Sequence, residues 1–222
     1  MPAPRGKMVR GMPATLVYLI RHAETVWNVE RRIQGSLDAP LTERGRQQVA
    51  CLVAALREVP LAALYASPLE RAQETARPLA AARGLAVVPV DDLREIDQGE
   101  WEARRLDEVR AEDGERLLAW WSAPHTVRMP GGETLDEVQA RARRAFDTIA
   151  ARHAGEAVGV VAHGGVNKAL VLGIMGAPLA AYWRIRQNNA CINLIEADGP
   201  ASRVLSLNDT MHLGGHAWHP PG

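Results

Sequence analysis

Apolar residues recur along this chain in two rhythms. Short runs rich in valine, isoleucine and leucine stand at Thr15–Ile20, Leu61–Ala66, Leu85–Val90 and Ala157–Ala162, with the length and composition of buried strands. Between several of them the apolar positions fall three and four residues apart, which predicts amphipathic helices. In LTERGRQQVACLVAALREV, Val49, Leu52, Val53 and Leu56 share a helical face behind Thr42, an expected N-cap. In SPLERAQETARPLAAARG, Ser67 is expected to cap, Pro68 to take the first helical position, Glu70 to complete a capping box and Gly84 to end the run. A third helix is expected from about Thr134 to His153, with Leu135, Val138, Ala142, Ala145 and Ile149 on one face.

Strands alternating with helices predict an α/β protein: a three-layer α/β/α sandwich around a mostly parallel central sheet. Cys191–Glu196 and Arg203–Leu207, joined through ADGPAS, read as a hairpin at the sheet edge. The charged, tryptophan-rich stretch 95–134 breaks the strand–helix rhythm, and is expected to be a helical insertion over the C-terminal edge of the strands. The expected organisation is an N-terminal extension without order over 1–14, one domain over 15–213 with the insertion as its roof, and a tail over 214–222.

Composition narrows the partners. Lysine plus arginine equals aspartate plus glutamate, 26 against 26, so no bulk field recruits nucleic acid or an anionic membrane, and any anion site must be local. The longest apolar run, ALVLGIMGAPLAAYW, is interrupted by Gly173, Gly176 and Pro178 and is too short to span a bilayer. Cys51 and Cys191 are the only cysteines, too few for a disulfide framework, and a cytoplasmic location is expected. The letters leave the oligomeric state open, a homodimer included.

In an open parallel sheet, ligands bind beyond the carboxyl ends of the strands. Four strand-like runs carry a functional group just past that end: Arg21 and His22, Arg71 one helical turn on, Glu95, and His163. A lone histidine after a strand is more often a hydrogen-bonded structural residue, and a lone arginine in a first helical turn is usually solvated. Together on one edge, two histidines, two arginines and a carboxylate suit a phosphoryl group: guanidinium forks bind its oxygens, a helix terminus after Ser67 adds partial positive charge, a neutral imidazole attacks phosphorus, and a carboxylic acid protonates the leaving oxygen.

The motifs LIRHAETVWN, RIQGSLDAPLTERGRQQ, YASPLERAQETA, LREIDQGEWE, PGGETLDEVQAR, VVAHGGV and LNDTMHL stand in order from Thr15 to Leu213. In them the chain resembles the histidine phosphatase (phosphoglycerate mutase-like) superfamily, and within it the broad-specificity and α-ribazole-type phosphatases. The resemblance implies a metal-independent, cofactor-free phosphomonoesterase acting on a small phosphorylated metabolite. It makes His22 the nucleophile that becomes phosphohistidine, Arg21, Arg71 and His163 the clamp on the phosphoryl oxygens, and Glu95 the acid and base. Asn28 would lie near the phosphate, and Gln34 or Ser36 would reach the substrate. Ala23 and Ala103 stand where such proteins commonly carry glycine, which matters only if the backbone there needs positive φ.

Other readings of the same letters are weaker. Cys51 and Arg57 have the C-x5-R spacing of cysteine phosphatases, but LVAAL lies in an amphipathic helix whose amides are already used. His212, His216 and His219 are interrupted by two glycines and have no carboxylate or cysteine nearby, so a loose tail is expected rather than a metal site. Among Trp101, Trp120 and Trp121, one is expected against the organic part of the substrate. Arg31, Arg32, Arg104, Arg105 and Lys168 are candidates for an acidic substrate tail, each alone more commonly a solvated charge. A cofactor-dependent phosphoglycerate mutase uses the same residues and is the alternative enzyme. A non-catalytic phosphate-binding or interaction module is the alternative of another class, and retention of all five central residues argues against it.

Overall fold

A computed structural model describes residues 13–216. Six strands, β1 (Thr15–Arg21), β2 (Leu61–Ala66), β3 (Val87–Pro89), β4 (Ala157–Ala162), β5 (Ile192–Ala197) and β6 (Arg203–Asp209), form one sheet in the order β3-β2-β4-β1-β5-β6. The first four run parallel, while β5 and β6 are antiparallel and make the expected edge hairpin. The sheet is therefore mostly parallel, as the alternation of strands and helices predicts.

The helices are α1 (Val26–Val29), a single turn, then α2 (Glu43–Ala55), α3 (Glu70–Ala81), α4 (Leu106–Glu112), α5 (Gly114–Ser122), α6 (Leu135–Arg152) and α7 (Gly164–Met175). The apolar stripes of α2 and α3, including Val49, Leu52, Ala72, Ala76 and Leu79, bury against Ile20, Leu64, Ala66 and Val161 on one face of the sheet. Those of α6 and α7, including Val138, Ala142, Phe146, Ile149, Val166 and Leu170, bury against Val17, Leu19, Val158 and Val160 on the other. With both faces covered, β1 and β4 carry near-continuous apolar sequence. Trp101, Val109, Leu117 and Trp120, from the stretch between β3 and α6, join the second of these cores.

Local chemistry sets most boundaries. Thr42 accepts the Gly45 N–H and starts α2, and Thr134 starts α6 in a reciprocal box with Glu137. The start of α3 departs from expectation. Its N-cap is Leu69, which gives no side-chain cap, and neither Ser67 nor Pro68 lies in the helix. Ser67 continues the β2 ladder, donating its N–H to Val161 O at 2.9 Å, so the chain is still extended where the helix was expected to begin. The first N–H groups of α3, from Glu70 and Arg71, go to the Asp38 carboxylate at 2.8 and 3.3 Å. β3 is likewise shorter than the run Leu85–Val90: Leu85 donates its N–H to Ala80 O, closing the end of α3, and Pro89 ends an edge strand. The extension before Pro13 and the end of the tail from Ala217 lie outside the described residues.

Candidate active site

The central strands deliver the candidate residues to one place. β1 lies between β4 and β5, and Arg21 is in register with Ala162, so His22 and His163 leave adjacent strand ends. Their ring centroids are 5.3 Å apart. Arg71 comes from the first turn of α3 beyond the neighbouring β2. Glu95, on the connection after β3, crosses to the start of α7. Its carboxylate accepts the N–H groups of Ile96, Gly165 and Val166 at 2.9, 3.0 and 3.0 Å.

That crossing explains the second glycine of HGGV. A Cβ on Gly165 would stand 2.4 Å from Glu95 Oε1 and 2.8 Å from the Ile96 side chain. Only a residue without a side chain lets the carboxylate reach the α7 amides.

His22 is 2% exposed. Its Nδ1 lies 2.8 Å from Ala23 O; a carbonyl only accepts, so Nδ1 carries the proton and the neutral ring keeps its lone pair on Nε2. Burial pushes the His22 pKa well below its usual value, and the Arg71 and Arg21 charges push it the same way, against the Ala23 bond. Burial does the same to His163, reinforced by Arg71, His22, Arg21 and Arg141. Both rings are therefore neutral at physiological pH, the state a nitrogen nucleophile needs.

The arginines are held from one side only. Arg21 Nη1 donates to Gln187 O at 2.5 Å. Arg71, 1% exposed, donates to Gly35 O and Leu37 O and pairs with Asp38 at 2.9 Å. Arg21 Nε, Arg71 Nε and both His163 ring nitrogens are buried without a hydrogen-bond partner among the described residues. Buried donors left unpaired are costly, and a tetrahedral oxyanion between these groups would accept from Arg21 Nε–H, from Arg71 Nε–H and from the one N–H that a neutral His163 ring carries. The Glu95 charge acts on both guanidiniums, opposing the lowering that burial imposes.

The outer candidates divide. Asn28 lines a cavity of about 490 Å³ together with Arg21; its Oδ1 accepts from Thr25 N and from Asn189 Nδ2, which also donates to His22 O. Gln34 Oε1 accepts from Thr25 Oγ1, and Ser36 donates its N–H and hydroxyl to the Glu102 carboxylate at 2.7 Å each. Both side chains are thus engaged in the loop wall. Arg32, Arg104 and Arg105 pair with Glu30, Glu112 and Asp107, whereas Lys168 lines the same cavity as Arg21. The tryptophan in that cavity is Trp183, not Trp101, Trp120 or Trp121; Trp101 and Trp120 are core. Cys51 sits within α2 and cannot cradle an anion. The His212 ring donates to Ala190 O at 3.0 Å, and His219 lies outside the described residues.

Three groups escaped the sequence reading. Asp38 ties Arg71 to the start of α3. Arg141 reaches from α6 to Asp92 O, Arg94 O and Glu95 O while paired with Glu133, so it clamps the loop that bears Glu95. Gln187 and Asn193 exchange amide bonds at 2.7 and 2.9 Å beneath Arg21. Their polarity inside RQNNACINL was the available signal.

Comparison with known proteins gives this arrangement relatives. A family model described as the histidine phosphatase superfamily (branch 1) matches residues 17–210. Phosphoserine phosphatase 1 of Hydrogenobacter thermophilus is 36% identical over 196 residues, 88% of this chain and 93% of that protein. A probable phosphoglycerate mutase GpmB of Erwinia tasmaniensis is 37% identical over 180 residues, 81% of this chain and 84% of that protein. Among solved structures, the α-ribazole phosphatase from Shigella flexneri superposes with a TM-score of 0.79 at 30% identity, covering 87% of this chain and 96% of its own.

Proposed function

The chain belongs to the histidine phosphatase superfamily, branch 1, and on that premise we propose that it hydrolyses a small phosphorylated metabolite through a phosphohistidine on His22. The observation that carries the reading is the neutral, Nδ1-protonated His22 ring set beside buried Arg21 Nε, Arg71 Nε and His163 ring nitrogens that have no partner among the described residues. In the first step the His22 Nε2 lone pair attacks phosphorus in line, the ester P–O bond breaks, and the leaving oxygen takes a proton from Glu95. In the second, water attacks phosphorus and gives its proton to Glu95. The P–N bond then breaks, and inorganic phosphate leaves a neutral His22. Arg21, Arg71 and His163 hold the equatorial oxygens, the two guanidiniums supplying the positive charge that developing negative charge requires and the neutral His163 ring one N–H. The Nδ1–H bond to Ala23 O persists throughout and fixes the ring's direction.

The similarity to a phosphoserine phosphatase and an α-ribazole phosphatase supports hydrolysis of a small phosphomonoester. The similarity to a probable phosphoglycerate mutase keeps phosphoryl return to glycerate as the weaker second reading. Two cysteines, one buried and one in a helix, neither in a disulfide, support a reducing, cytoplasmic setting. Among the described residues no helix is long and apolar enough to cross a membrane.

The test is phosphate release from a panel of phosphomonoesters, with and without chelator, alongside mutase assays on 3-phosphoglycerate primed with bisphosphoglycerate. Chelator-resistant release that His22→Ala lowers at least ~10³-fold is the expected result. Mutase turnover outpacing hydrolysis would replace the proposal with the second reading.

A further inference from the structure

Beside Arg21 and Asn28 the cavity widens over Lys168, Trp183, Arg184, Arg186 and a row of amide side chains. Among the described residues no aspartate or glutamate lines it, although acidic and basic residues balance over the whole chain. Lys168 differs from the exposed Arg184 and Arg186 of the same cavity in being partly buried against aromatic rings. It makes no ion pair or hydrogen bond among the described residues, and its ammonium rests on ring faces, 4.3 Å from the Trp183 centroid and 4.9 Å from that of Tyr182. Ring faces stabilise the charge but offer no strong acceptor for its N–H groups.

The rings are themselves fixed. Trp183 Nε1 donates to Trp120 O at 2.7 Å, and Tyr182 is 3% exposed within the core. Lys168 is one helical turn along α7 from Gly164 and Gly165, the segment that receives Glu95. A lysine that served only solubility would extend its ammonium into water; this one is held on an aromatic shelf in a cavity whose wall includes Arg21 of the phosphoryl site.

Resting on the phosphatase reading above, we propose that Lys168 is a specificity-determining residue that seats a carboxylate on the organic part of the phosphomonoester. The carboxylate supplies the acceptor that the aromatic shelf lacks, and a single compact ammonium matches a single monoanionic group. Trp183 forms the wall against the carbon skeleton, and Asn188 and Asn189 offer amides beside it.

The charge on Lys168 is itself conditional. Burial lowers its pKa to about 8, and Arg21 and Arg186 push it the same way while Glu95 opposes them; the neighbouring Tyr182 hydroxyl, its pKa raised by burial and Glu95, stays neutral. Recognition of the carboxylate therefore weakens as pH rises through about 8.

The test compares 3-phosphoglycerate with glycerol 3-phosphate, which replaces the carboxylate by a hydroxymethyl group, in wild type, Lys168→Met and Lys168→Arg. The quantity read is the ratio of the two kcat/KM values. A charge-assisted hydrogen bond predicts a wild-type preference for the acid of roughly ten- to a hundredfold. That preference should collapse to near one in Lys168→Met through KM, return largely in Lys168→Arg, and shrink above pH 8 in wild type only. Equal turnover of the two compounds by wild type, or an unchanged ratio in Lys168→Met, overturns the proposal. A stronger preference for an alkanediol bisphosphate than for the acid, lost in Lys168→Met, overturns the carboxylate assignment in favour of a second phosphate. Failure of every variant to release phosphate would sink the phosphatase reading instead. Calorimetric binding of the same two compounds to wild type and Lys168→Met then decides the role of Lys168: preferential binding of the acid by wild type alone supports it, and equal binding overturns it.

Discussion

At the scale of single residues, two alanines replace glycines with opposite consequences. Ala103 has φ +61°, a conformation that costs an L-residue about 1–2 kcal/mol; its N–H is tied to Ile33 O at 2.8 Å, so the turn cannot relax freely. Ala103→Gly should therefore raise stability by about 0.5–1 kcal/mol after the greater entropy of unfolded glycine is subtracted, readable as a shift in urea midpoint. Ala23 is not among the residues with positive φ and donates its N–H to Thr75 Oγ1 at 3.0 Å, so glycine there brings no such gain. Sequence alone identified both positions but could not supply the φ that separates them. The same holds for the cations: Arg104 and Lys168 look alike as letters, and only the fold pairs one with Glu112 and lays the other on Trp183.

At the scale of elements, the connection carrying Glu95 is positioned by a helix it does not adjoin in sequence. Arg141 on α6 holds three carbonyls of that connection, and Glu133 holds both Arg141 and the Asp97 N–H at 3.0 Å. Arg141→Leu should lower kcat roughly tenfold or more while KM for substrate changes little, because proton delivery loses its alignment while the phosphate clamp remains. It should also flatten the acid side of the bell-shaped pH profile expected of a carboxyl group that donates a proton and then accepts one. An equal rise in KM would instead place Arg141 in binding. Helix starts show where legibility ends. Thr42 and Thr134 cap their own helices, so the spacing of threonine to helix is visible in the chain. The start of α3 is capped by Asp38, 32 residues before Glu70, and no local pattern announces a cap supplied by a distant loop. The same carboxylate fixes Arg71, so Asp38→Asn should weaken both the α3 terminus and phosphate affinity, seen as a lower Tm and a higher inhibition constant for inorganic phosphate.

At the scale of the whole molecule, strand order converts scattered letters into one site. The periodicity of the chain identifies strands and helices, and the charged residues after each strand identify the functional edge. The placement of β4 between β2 and β1, which brings His163 against His22, follows from long-range pairing that no local pattern encodes. Assembly also sets a stability profile. His22 and His163 have folded pKa values well below 6.5, so below that value the unfolded chain binds more protons than the fold, and stability rises with pH. Their contribution is complete above about pH 6.5 and is lost as pH falls toward the folded values. Chemical denaturation at pH 7.5 and pH 5 should show that loss, and His22→Asn should reduce its slope. The covalent step that this whole arrangement serves can be observed directly, by acid-free rapid quench of enzyme mixed with a phosphate-labelled substrate. The account predicts a transient phosphoenzyme, stable to base and labile to acid, with label on His22 and none formed by His22→Ala. Turnover with no covalent phosphate at any time, or label on another residue, would contradict it.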